Sequence, residues 1–214
     1  MNASGEFLVS ETPRTLFGLR VCDLGWNAAL GLVEGLISLR GNRTTLSFLD
    51  ERASLRQMLD LSYHHQLDRR LLLPSGGRAF GFVAKALKKR YAGLRYSAET
   101  FVPALLTYLE RRCIIGIAGE DMGRLEALRE HFARHAPWHE LVVIPPDQDV
   151  SRRFDVVIVD AASLAAERRV ERHLAVIRTG MVVMAGDGLS KFARRKLDMQ
   201  AVRRQHSHSL PSFA

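Results

Sequence analysis

Long apolar runs, clustered cysteines and aromatic residues are all scarce in this sequence, and each shortage closes off a class of function. No stretch approaches the ~20 uninterrupted apolar residues of a membrane span; the strongest candidate, AALGLVEGLISL, is short and carries Glu34. The opening residues, MNASGEFLVSETPR, lack the charged start and apolar block of a secretory signal. A cytoplasmic protein is therefore expected. The two cysteines, Cys22 and Cys113, are too few and too far apart for a metal cluster or a disulfide framework, and Cys113, at the head of an apolar run, is expected to be a buried reduced thiol. Phe, Tyr and Trp make up only 7% of the chain, which leaves few stacking platforms, and no nucleic-acid docking motif accompanies them. His64-His65 and the HSH at 206–208 have no carboxylate or cysteine companions that would suit zinc. There is no Ser/His/Asp order and no nucleophile elbow.

What is present is enough apolar material, 47% of 214 residues, for one globular unit with a buried core. The formal net charge of +8 favours an anionic partner: a phosphate-bearing substrate, an anionic membrane surface or nucleic acid. The basic residues fall in separate clusters, among them Lys88-Lys89-Arg90, Arg168-Arg169-Arg172 and Arg194-Arg195-Lys196, and several sit on expected helices, where a solvated face explains them.

Short apolar runs alternate with helical patterns. FGLRVCDL precedes a helix over 25–39, TTLSFLD one over 51–63, and RRLLLP two helices over 77–90 and 98–112. CIIGIAG then leads into 120–135, HELVVIP follows, RFDVVIVD leads into 162–177, and GMVVMAG closes the series. Strands of this length separated by helices indicate βαβ units, hence an α/β, Rossmann-like fold with a mostly parallel sheet and helices on both faces. The strands CIIGIAG, ELVVIP, DVVIVD and MVVMAG are apolar on both sides, as central strands of such a sheet must be. Residues 1–13 are expected to be a flexible N-terminus, 14–187 a single domain, and 188–214 a basic helix and tail.

Ligands of open α/β sheets bind outside the carboxyl ends of the strands, here the loops 47–51, 74–78, 119–123, 145–149, 160–163 and 186–190. IIGIAGEDMGRLEAL has the strand, glycine turn and helix start that can hold a phosphate, but Gly116, Gly119 and Gly123 do not have dinucleotide spacing, and Glu120 and Asp121 suit capping the helix themselves. A nucleoside against Gly119 is the better expectation. Asp160 ends the strand in DVVIVDAAS, where it either accepts bonds from ribose hydroxyls or a base, or caps the helix that begins near Ser163. Asp147-Gln148-Asp149 reads either as a metal-holding D-x-D or as a solvated turn after Pro145-Pro146.

Read in order, LFGLRVCDLGWNAALGLVEGLISLRGNRTTLS, ERASLRQMLD, RRLLLPSGGRAFGFVAKAL, LRYSAETFVPALLTYLERRCIIGIAG and FDVVIVDAASLAAERRV resemble the successive blocks of the WecG/TagA/CpsF family of bacterial glycosyltransferases. The resemblance covers about residues 16 to 187. It implies inverting, metal-independent transfer of an N-acetylmannosamine-type sugar from UDP to a lipid-diphosphate acceptor at the inner membrane face, with no cofactor beyond the UDP-sugar donor. It further implies a role in surface-polysaccharide biosynthesis, with self-association into a homo-oligomer left open.

Carried over position by position, the family's Pro-Asp-Gly base falls on Ser75, followed by Gly76 and Gly77, and the second-strand threonine on Thr45, whose companion asparagine is Ser47. The Gly-Thr-Asp positions are Ala98, Glu99 and Thr100. Arg95 matches the arginine before the third helix and suits a diphosphate; Gly119 matches the nucleotide-side loop, and Glu167 the second half of a Gln-Glu pair whose first half is Ala166. A serine hydroxyl has no useful basicity near neutral pH. Activity would thus require Glu99 or Asp50 as base; the alternative is a catalytically silent relative that binds a nucleotide-sugar or a partner enzyme as regulator or scaffold. In place of the family's C-terminal membrane motif stands KFARRKLDMQAVRRQHSHSLPSFA, whose Lys191, Arg194, Arg195 and Lys196 either meet anionic headgroups or keep a terminal helix soluble.

Overall fold

The computed structural model describes residues 14–16, 18–22, 24–39, 43–75, 96–146 and 150–193. Eight strands form one sheet: β1 (Arg14–Leu16), β2 (Leu19–Val21), β3 (Thr44–Leu49), β4 (Leu71–Pro74), β5 (Ile114–Gly119), β6 (Glu140–Ile144), β7 (Phe154–Asp160) and β8 (Thr179–Gly186). Their spatial order is β1-β2-β4-β3-β8-β7-β5-β6. All neighbours are parallel except β1, which pairs antiparallel with β2. The described helices are α1 (Trp26–Ser38), α2 (Glu51–Leu59), α3 (Leu61–Asp68), α4 (Ala98–Tyr108), α5 (Met122–His135) and α6 (Leu164–Leu174).

Side-chain alternation along the strands divides the core. β8 sends Met181, Val183 and Ala185 toward α1, α4 and α5, and Val182 and Met184 toward α6. β7 does the same with Val156 and Ile158 against Val157 and Val159. A third cluster joins Leu19, Leu49, Tyr63, Leu67 and Leu72 under α3. Crossovers stepping toward β6 carry α1, α4 and α5 on one face, and those stepping back carry α2, α3 and α6 on the other, as a single crossover hand requires.

Local chemistry sets the helix starts. Asp50, Asp60, Ser97, Asp121 and Ser163 each accept a bond from the backbone N–H three residues on, a contribution of about 1 kcal/mol per cap. Three sequence expectations are corrected. The helix expected over 51–63 is two, because Asp60 leaves helical geometry (φ −125°, ψ 100°) to end α2 and cap α3. FGLRVCDL supplies only the three-residue β2, because Gly18 takes φ 82° and turns the chain back along β1, which precedes that run. ELVVIP, expected as a central strand, is the edge strand β6, mostly half-buried. The expected flexible N-terminus, the helix over 77–90 and the C-terminal segment from 194 lie outside the described residues.

Candidate functional site

β5 and β7 are neighbours, yet their outgoing helices α5 and α6 pack on opposite faces. Their carboxyl ends therefore form a topological switch point, where an open α/β sheet offers its crevice. Gly119 and Asp160 stand opposite one another there. A Cβ on Gly119 would lie 2.5 Å from the Asp160 carbonyl oxygen and 2.9 Å from Leu125 Cδ2, so this glycine lets the two strands close on each other.

Arg124, on the first turn of α5, fills the crevice. Its Nε and Nη2 donate to Oδ2 and Oδ1 of Asp160, both at 2.9 Å, and Nη2 also reaches Oδ1 of Asp187 at 3.2 Å. The Asp160 side chain is 4% exposed and that of Asp187 47%. Burial pushes the Asp160 carboxyl up, against the opposite pull of Arg124, while the hydrogen bond to Asp160 holds the guanidinium above its ordinary value. Both Asp160 carboxylate oxygens accept from Arg124, and the capping role expected of Asp160 falls instead to Ser163, whose hydroxyl accepts from the Ala166 N–H at 3.1 Å.

On the α6 side of the same turn lies a cavity of about 270 Å³ between the ends of β5 and β6 and the helix. Gly119, Ile144, Pro146 and Val170 form its apolar walls, and Arg169 and His173 its polar edge. The Arg169 Nε donates to Glu120 Oε1, a bond that draws the Glu120 carboxyl below its usual range. Nε2 of His173 is buried with no hydrogen-bond partner among the described residues. Apolar walls with a few polar groups at the mouth are the composition of a small-ligand site; the size suits a nucleoside-sized group.

The other sequence-derived candidates are dispersed. Ser75 is half-buried at the end of β4, its N–H bonded to the Leu49 carbonyl at 3.0 Å. The Tyr96 N–H donates to the Pro74 carbonyl at 3.0 Å, which brings the start of α4, and with it Glu99, to the same end of the sheet. Glu99 is ion-paired with Lys191 at 3.0 Å. Thr45 is not brought to them. It pairs with Val182, whereas Leu49 pairs with Pro74, so it sits about 13 Å back along β3, four residues at ~3.3 Å each. Glu167 faces inward to Arg70, 2.6 Å away. Asp50 caps α2 through Ala53 N at 2.7 Å. Gly76, Gly77, Arg95 and the D-x-D at 147–149 lie outside the described residues. Cys113 is fully buried, and burial pushes its thiol up.

Three residues matter that sequence reasoning did not single out: Arg124, Arg70 and His173. Arg124 carried a usable signal, since a cation on the first turn of a helix opposes the helix dipole and calls for an acidic partner. Arg70 sits directly before an apolar strand, and its side chain is 4% exposed, held by Glu167, Glu171 and the Ser47 hydroxyl. No group of three or more His, Cys, Asp or Glu positioned to hold a metal ion occurs among the described residues. No protein-family model matches the chain, and no curated protein matches it.

Proposed function

We propose that this chain is a glycosyltransferase-like protein that holds the nucleotide part of a UDP-sugar at the carboxyl rim of its sheet and does not itself transfer the sugar, acting as a regulator or scaffold in surface-polysaccharide assembly. One observation carries the reading: the cavity beside Gly119 combines apolar walls with Arg169 and His173 at the switch-point rim. The uridine and the polysaccharide context rest on the resemblance to the WecG/TagA/CpsF enzymes.

Inverting transfer requires a base to take the acceptor's proton. The position of the family's base is Ser75, and the described rim carboxylates are already engaged: Asp160 and Asp187 by Arg124, Glu120 by Arg169, Asp50 by its cap, Glu99 by Lys191. In the binding role, a base occupies the apolar walls, with Arg169 and His173 at its polar edge. Contact with an anionic membrane through residues 191–196 belongs to the same proposal; no described helix is long and apolar enough to cross a membrane.

One observation favours a second reading, an active transferase with Glu99 as base. Glu99 heads α4 at the β4 end, and its partner Lys191 is 71% exposed, so the ion pair exchanges readily. Calorimetric titration with UDP, together with transfer assays on a lipid-diphosphate acceptor, separates the two. Binding heat, no transfer by the wild type and transfer gained in Ser75→Asp support the silent binder. Wild-type transfer lost in Glu99→Gln establishes the enzyme, and absence of heat removes both.

A further inference from the structure

The geometry points to Arg124 as the residue that receives the diphosphate group of a bound nucleotide, with Asp187 as the built-in competitor the diphosphate displaces. This rests on the nucleotide-binding reading above and assigns the phosphate half of that site. The turn Gly119–Glu120 is shared: its α6 side lines the cavity, and on the α5 side Arg124 reaches over the end of β5 to Asp160. In this assignment a nucleoside seated between Ile144, Pro146 and Val170 extends its phosphates past the shared turn, across the switch point, to the guanidinium.

Arg124 is arranged to hold an anion without being released from its own anchor. Asp160 takes Nε and one Nη2 proton in a two-point grip and fixes the plane of the guanidinium. The remaining Nη2 proton goes to Asp187, the longest of the three bonds at 3.2 Å and the one to an exposed carboxylate. An arginine carries five N–H donors, and the two on Nη1 have no acceptor among the described residues. A diphosphate oxygen that replaces Asp187 and a second that meets Nη1 would occupy four of the five, leaving one Nη1 proton to solvent. Asp187 stands in the turn after Gly186 with its side chain 47% exposed, so the carboxylate can rotate into solvent without disturbing β8.

The contrast with Arg70 supports the assignment. Arg70 is held by two glutamates and a serine at 4% exposure and presents nothing to solvent. Arg124 is 21% exposed at the rim itself.

The test is calorimetric titration of uridine, UDP and inorganic pyrophosphate into the full-length wild type, Arg124→Gln and Asp187→Asn. Uridine should bind all three equally. UDP and pyrophosphate should bind Arg124→Gln about tenfold more weakly, the loss of one charged hydrogen bond, and Asp187→Asn about threefold more tightly, the removal of a part-exposed competing ion pair. Equal UDP affinity in all three proteins overturns the inference while leaving nucleotide binding intact. Pyrophosphate binding that follows this pattern without any uridine binding keeps the Arg124 site and removes the nucleotide reading. No binding of any of the three probes by the wild type overturns both. If Arg124→Gln does not fold, the surface change Asp187→Asn decides alone: unchanged or weaker UDP binding contradicts the inference.

Discussion

At the scale of single residues, burial decides what each charged group can do. Arg70 donates to Glu167 at 2.6 Å, Glu171 at 2.8 Å and Ser47 Oγ at 3.1 Å, tying β3 and the start of β4 to α6. Removing one partner of such a buried pair leaves the other uncompensated, so Arg70→Met should lower the unfolding free energy by about 3–5 kcal/mol in urea titrations. Removing both charges in Arg70→Met/Glu167→Leu should recover a large part of that loss. His139 is a buried, neutral case: Nε2 donates to the Leu106 carbonyl at 2.7 Å, and Nδ1 accepts from Cys113 N–H at 3.2 Å. Burial lowers its pKa below the ordinary 6.5. The unfolded chain therefore binds a proton that the folded chain refuses, and the histidine's stabilisation is present above pH ~6.5 and lost as the pH falls below it, by at most about 1.4 kcal/mol per pH unit. Between pH 7 and 5, wild-type stability should fall more steeply than that of His139→Gln.

At the scale of elements, the two faces of a glycine argument can be measured against each other. At Gly119 an added methyl meets a backbone carbonyl that cannot yield without separating β5 from β7, so Gly119→Ala should cost about 1–3 kcal/mol. Gly35, exposed within α1, has nothing within 4 Å of its Cβ position, and Gly35→Ala should stabilise by about 0.4–1 kcal/mol. Chemical denaturation of both variants checks the pair. The elements themselves were legible because their physics is local: apolar runs such as DVVIVD admit only a strand covered on both faces, and Asp121 announces the helix it caps. Asp60 and Gly18 were overlooked because each breaks a continuous apolar pattern with a single backbone conformation, which periodicity does not register. Side-chain partnerships were less legible still. Nothing within DVVIVDAAS says that an arginine 36 residues earlier takes Asp160's carboxylate, and matching Thr45 and Ser75 one by one to motifs says nothing of the register of β3 against β4, which sets them apart.

At the scale of the molecule, the α/β sheet brings glycine turn, cavity and arginines to one rim, and among the described residues several of the arginines behind the net charge of +8 are spent on internal ion pairs. Arg111, Arg124, Arg152, Arg168 and Arg169 are each committed to an acidic partner within the fold. The charge still shapes binding: an anionic ligand must compete with these carboxylates, so raising the salt concentration should weaken UDP binding more than uridine binding, by calorimetry. The central claim, that a nucleotide sits beside Gly119, is tested most directly by amide hydrogen exchange with and without saturating UDP. The account predicts slowed exchange confined to residues 118–124 and to the turn after β6; unchanged exchange there, or protection only at the opposite end of the sheet, would contradict it.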